Sequence, residues 1–118
     1  MSTQASLFDR PVNTTPMRPV VAAQHREGET LDDQFTAWLA VNPHVLSAFI
    51  ALARQAQRAG LRKFGAKAVV ERLRWEYAIQ TGGSEFKFNN RFTSRLARVA
   101  VERAPDLAGL FEFRDLRS

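Results

Sequence analysis

The sequence predicts a mainly α fold: a compact four-helix domain over residues 29–118, with a helix-turn-helix or winged-helix-like C-terminal part and one or two short strands. Three observations predict it. Apolar residues recur at helical spacing in four segments between Leu31 and Arg103. Glycine, proline and asparagine stand at the joints between those segments. Two short runs of alternating character, Glu85–Phe88 and Leu110–Arg114, flank the last helix.

Residues 1–28 read as a disordered tail, because Pro11, Pro16 and Pro19 break any helix and no apolar period survives more than a few residues. Thr30 then offers an N-cap, with Asp32 and Asp33 in the first turn where the helix dipole favours negative charge. Leu31, Phe35, Trp38 and Leu39 give the first helix one apolar face, to about Ala40. Asn42-Pro43 opens the second, with Asn as cap and Pro at the first helical position. Val45, Leu46, Phe49, Ile50, Leu52, Ala53 and Ala56 cover more than half of that helix, which marks it as the central one, ended by Gly60.

An extended link, Leu61-Arg62-Lys63-Phe64, leads through Gly65 into a third helix over about 66–79. Its main face is Ala66, Val69, Val70, Leu73 and Tyr77, while Trp75 and Ile79 fall on the opposite side. Two apolar faces mean either a helix sandwiched in the fold or one that offers a partner surface. Thr81-Gly82-Gly83-Ser84 is a turn, and Glu85-Phe86-Lys87-Phe88 alternates as a half-buried strand does. Asn89 or Asn90 caps a fourth helix to about Arg103, with Phe92, Leu96 and Val99 inward, and Pro105 ends it. Leu110–Arg114 is the candidate partner strand for 85–88. The order suggests a helix-turn-helix, though the link between the third and fourth helices is longer than the usual tight turn.

Composition narrows the function. There is no cysteine, so there is no disulfide, thiolate metal site or cysteine nucleophile. His25 and His44 are the only histidines and have no partner at metal-ligand spacing. No Gly-rich phosphate loop or Ser-His-Asp set is present, and the carboxylates of the C-terminal half are scattered among arginines. The expectation is a non-enzymatic protein without cofactor. No apolar run approaches the ~20 residues that span a bilayer, and no basic-then-apolar leader opens the chain. A cytoplasmic setting is expected.

The net charge of +5 is unevenly placed. Residues 1–53 hold three Arg against five acids, whereas residues 54–118 hold eleven Arg and three Lys against seven. Basicity gathered in one half is the footprint of a surface for nucleic acid. Within that half, Asn89, Asn90, Arg91, Thr93, Ser94, Arg95 and Arg98 crowd the start of the fourth helix. Helices that read duplex DNA contact base edges from their N-terminal turns. Asn suits adenine, Arg suits guanine, and Ser or Thr suits phosphate. Arg62, Lys63, Lys67 and Arg74 would add contacts to the DNA backbone. The competing reading is a solvated face whose arginines pair with Glu102 and nearby acids.

Four stretches carry a resemblance: Arg74-Trp75-Glu76, Phe86-Lys87 followed by Asn89-Asn90, Ser94-Arg95 with Ala97-Arg98, and the terminal Phe111-Glu112, Arg114 and Leu116-Arg117-Ser118. Together, over residues 30–118, they resemble a small family of uncharacterised phage- and prophage-encoded helical proteins. That resemblance implies a mobile-element setting and a compact helical domain, and no activity. Near the N-terminus, Gln4, Ser6, Leu7 and Phe8 are similar to the peptide by which bacterial polymerases and repair proteins dock on the replication sliding clamp, with Ala5 where Leu is frequent. The similarity implies Leu7 and Phe8 in an apolar pocket and Gln4 as the orienting hydrogen-bond group. Chance occurrence, or packing on the protein's own surface, competes with this.

The leading expectation is thus a phage-type accessory or regulatory protein that contacts double-stranded DNA through its basic half, with the sliding clamp as a second partner. The alternative is a protein-binding inhibitor or modulator of host replication or defence machinery, acting through Trp75 and Ile79 or through the N-terminal peptide.

Overall fold

The computed structural model describes residues 18–83 and 86–111. Among the described residues there are four α-helices: α1 (Leu31–Val41), α2 (Pro43–Arg58), α3 (Ala66–Thr81) and α4 (Thr93–Arg103). Single 3₁₀ turns, Asn90–Phe92 and Pro105–Leu107, stand before and after α4. No strand occurs among the described residues.

Helix α1 starts on a capping box: the Thr30 hydroxyl accepts from the Asp33 amide at 3.1 Å, and the Asp33 carboxylate accepts from the Thr30 amide at 3.3 Å. It meets α2 at a 91° bend. Asn42 sits in that corner and is fully buried. Its side chain does not cap α2, as its position before Pro43 predicts. Instead its Nδ2 donates to the Trp38 carbonyl at 3.0 Å and to the Val21 carbonyl at 2.8 Å, and its Oδ1 accepts from the Val21 amide at 2.9 Å.

Helix α2 is the central element and packs on α1, α3 and α4. Its buried side is Val45, Leu46, Ala48, Phe49, Leu52, Ala53 and Ala56. It ends in a Schellman arrangement, with Gly60 at φ 91° and the Leu61 amide donating to the Ala56 carbonyl at 3.1 Å. The turn after α4 folds back onto α2. Gln57 donates to the Asp106 carbonyl at 2.7 Å, and Arg54 bonds the Asp106 carboxylate at 3.1 Å, which holds that carboxyl below its ordinary pKa. The Phe64 amide donates to the Leu110 carbonyl at 3.1 Å, tying the link before α3 to the segment after α4.

An aromatic cluster joins α1 to the approach to α4. Ring centroids lie 5.4 Å apart for Phe35–Phe92, 5.3 Å for Trp38–Phe88 and 5.6 Å for Trp38–Phe92. Phe86 extends it to Tyr77 on α3, at 5.5 Å. This cluster explains why the strand expected at 85–88 is not found in residues 86–88. Phe86 and Phe88 do share one side, as alternation requires, but the Phe88 amide donates to the Phe86 carbonyl at 2.8 Å and closes a three-residue turn. The Lys87 carbonyl accepts from the Trp38 indole at 3.0 Å, where a neighbouring strand would otherwise donate. At the second expected strand, Leu110 and Phe111 are buried without strand geometry, and 112–114 lie outside the described residues. No wing is seen among the described residues, and eleven residues, 82–92, separate α3 from α4 where a helix-turn-helix has a tight turn.

Residues 18–23, expected as part of a tail ending at 28, lie on the domain instead. Val20 is 3% exposed within the core, and its amide donates to the Tyr77 hydroxyl at 3.2 Å. With the paired bonds from Asn42 to Val21, these residues form a strap across the α1–α2 corner toward α3. Residues 1–17 lie outside the described residues.

Candidate nucleic-acid interface

The start of α4 is built from backbone needs first. The Asn89 side chain accepts from the Arg91 amide at 2.9 Å and opens the 3₁₀ turn. The Thr93 hydroxyl donates to the Asn90 carbonyl at 2.8 Å. Phe92, buried against Phe35, Trp38 and Phe88, fixes the direction in which the helix leaves. Leu96, Ala97 and Ala100 bury the inner side of α4 against α2 and α3. Val99, expected inward with them, is partly buried.

The arginines differ in exposure and in partner. Arg91 and Arg98 are exposed, and Arg91 makes no ion pair among the described residues. Arg95, between them on the same stripe, bonds the carboxylate of Asp32 in the first turn of α1. The acid that engages Arg95 is therefore Asp32, sixty-three residues away in sequence. Ser94 is partly buried.

Arg74 reaches the site from α3. Its Nη2 donates to the Asn90 side-chain oxygen at 2.8 Å, its Nε lies 3.8 Å from Glu71, and its guanidinium lies 5.5 Å from the Phe86 ring centre. This bond brings α3 to the edge of the Asn89–Arg98 segment. Lys67 is seven residues earlier on the same side of α3, about 10 Å along the axis at 1.5 Å per residue. Arg62 and Lys63 lie exposed in the link before α3. The predicted set thus forms one joined group, Arg74 with Asn89, Asn90, Arg91 and Thr93, and a second basic group at the α3 N-terminus.

Both asparagine oxygens are used within the fold, so reading adenine through them as the sequence suggests would require breaking a cap or releasing Arg74. Asp32 is the member that sequence reasoning missed. It was legible only as a dipole-favouring acid, since nothing local connects it with Arg95. Gln4, Ser6, Leu7 and Phe8 lie outside the described residues. On α3, Trp75 and Ile79 are 50% and 64% exposed, so the helix is not sandwiched there. Among the described residues, no single helix is long and apolar enough to cross a membrane.

No protein-family model, no curated protein and no solved structure matches the chain.

Proposed function

We propose that the chain is a DNA-binding accessory or regulatory protein of the phage type, contacting duplex DNA with the N-terminal part of α4 and the flanking cations of α3. The observation that supports this reading is Arg91, exposed in the 3₁₀ turn that Arg74 braces through Asn90, together with Arg98, exposed on the outward side of α4. Arg62, Lys63 and Lys67 extend positive charge beyond that turn. Because the Asn89 and Asn90 oxygens serve the fold, contact falls mainly on phosphate, and affinity is expected to exceed sequence discrimination. Residues 4–8, by their similarity to clamp-docking peptides, would hold the domain near replicating DNA and raise its local concentration there.

The test is binding of the full-length protein to a random-sequence duplex at about 50 and 200 mM salt. A surface making several phosphate contacts loses on the order of 10³ in affinity across that range. An Arg91→Ala/Arg98→Ala variant with unchanged circular dichroism should bind more weakly and show a salt slope shallower by roughly two. A wild type that binds no duplex at the lower salt would sink the proposal.

A further inference from the structure

Helix α3 turns a second surface outward. At 100° per residue, Ala68, Glu71, Trp75, Ala78 and Ile79 lie opposite Val69, Val70, Leu73 and Tyr77, which are buried. Large apolar side chains fixed in water are not what a finished surface needs. Trp75 is moreover held in place: the Arg72 guanidinium lies 4.2 Å from its ring centre, and Arg72 is bonded at 2.8 Å by Glu76. Glu76 is 7% exposed. Withdrawing a carboxylate from water is costly, and here it anchors a cation that also lies over an exposed indole. An aromatic side chain already fixed loses little freedom on binding, which is the property of an interface anchor.

The surroundings select the occupant. Lys67 is exposed on one flank of this face, Arg74 stands on the same flank, and Arg72 stands on the other. Glu71 is the one exposed carboxylate described on α3, and it lies 3.8 Å from Arg74. A second copy packed across a two-fold axis would set Lys67 and Arg74 against like charges. One face of one helix also falls well short of the ~800 Å² per partner of a stable interface. Nucleic acid would satisfy the cations and leave Ile79, a turn beyond Trp75, in water. A peptide carrying both apolar and acidic side chains answers the apolar patch and the flanking cations, with Glu71 set against Arg74 at 3.8 Å.

We propose that this face of α3 docks an acidic amphipathic helical segment of a partner protein. Its apolar side chains cover Trp75, Ala78 and Ile79, and its carboxylates reach Lys67 and Arg74. The inference goes beyond the DNA reading and does not depend on it.

The probe is a synthetic helical peptide of roughly 18 residues, Leu at i, i+3, i+4 and i+7 and Glu on the flanks, titrated into ¹⁵N-labelled full-length protein. A control peptide has Lys for each Glu. Expected are amide shifts grouped over residues 68–82 and about tenfold weaker binding of the Lys peptide. A Trp75→Ala/Ile79→Ala variant should lose about tenfold in peptide affinity while its duplex DNA binding stays unchanged. Lys67→Glu, which leaves the apolar face intact, should weaken the acidic peptide and strengthen the basic one. The proposal is overturned if the acidic peptide produces no shifts, if both peptides bind alike, or if the shifts centre on α4. It is equally overturned if sedimentation shows a dimer that the Trp75/Ile79 variant dissolves, since the occupant would then be a second copy.

Discussion

His44, near the start of α2, shows how one side chain registers the state of the strap. Its Nε2 is buried without a hydrogen-bond partner. Burial, partly offset by a hydrogen bond to the Pro19 backbone and reinforced by the Arg18 charge, holds the imidazole below its ordinary pKa. The folded protein therefore resists protonation where the unfolded chain, near 6.5, accepts it. Stability from this site is fully present above about pH 6.5 and is lost as pH falls below it toward the folded value. Thermal melts at pH 5 and pH 8 should show a larger drop for wild type than for His44→Gln, in which this titration is absent. Equal drops would mean that the site does not sense the proton. Asn42 teaches a related point about legibility. Asn before Pro reads as a helix cap, yet its three hydrogen bonds run to Trp38 and Val21. Residue type disclosed a polar group that needs partners, and only the tertiary corner decided which.

At the scale of elements, the four helices were readable because each carries an apolar period and a punctuating residue, Thr30, Pro43, Gly60 and Pro105 among them. The link between α3 and α4 was not. Phe86 and Phe88 share one side in a strand and in the three-residue turn they adopt, so a period of two could not separate these outcomes. The deciding partner is Trp38, nearly fifty residues earlier, whose indole takes the Lys87 carbonyl. The strap escaped detection for a similar reason, since Val20 and Val21 are too short a run to show any period. Of the candidate site, the cluster at the start of α4 and its cations were legible, and the Asp32 tie from α1 was not. That tie has a measurable effect under the DNA reading. Asp32→Asn removes the carboxylate that occupies Arg95, at a cost in helix-dipole stabilisation of about 0.3–1 kcal/mol. Duplex affinity should rise, and the salt slope should steepen by about one as Arg95 becomes available to phosphate. An unchanged slope would show that Arg95 stays outside the interface even when released.

Across the whole molecule, α2 is the hub, and the segments outside the four helices close the domain around it. The turn at Pro105–Leu107 clamps its C-terminal half through Gln57 and Arg54, while the strap lies over its start. Val20→Ala should cost about 1–3 kcal/mol in urea denaturation without altering helical content, because the side chain is buried in the shared core. A loss below a few tenths of a kcal/mol would mean the strap adds nothing to the domain. The basic surface and the Trp75 face share Lys67 and Arg74 on one flank of α3, so the two partners proposed for them compete for those cations while Trp75 and Ile79 serve only the peptide. The strap has a further consequence, in mechanics. Tension applied to the chain upstream of residue 18 meets the His44 contact with the Pro19 backbone and the Val20 side chain, together with the bonds to Tyr77 and Asn42. Because Asn42 also holds the Trp38 carbonyl, the load passes into the α1–α2 corner and, through Tyr77, into α3. A partner pulling on the N-terminus would thus strain the helix that bears Trp75 before it strained α4.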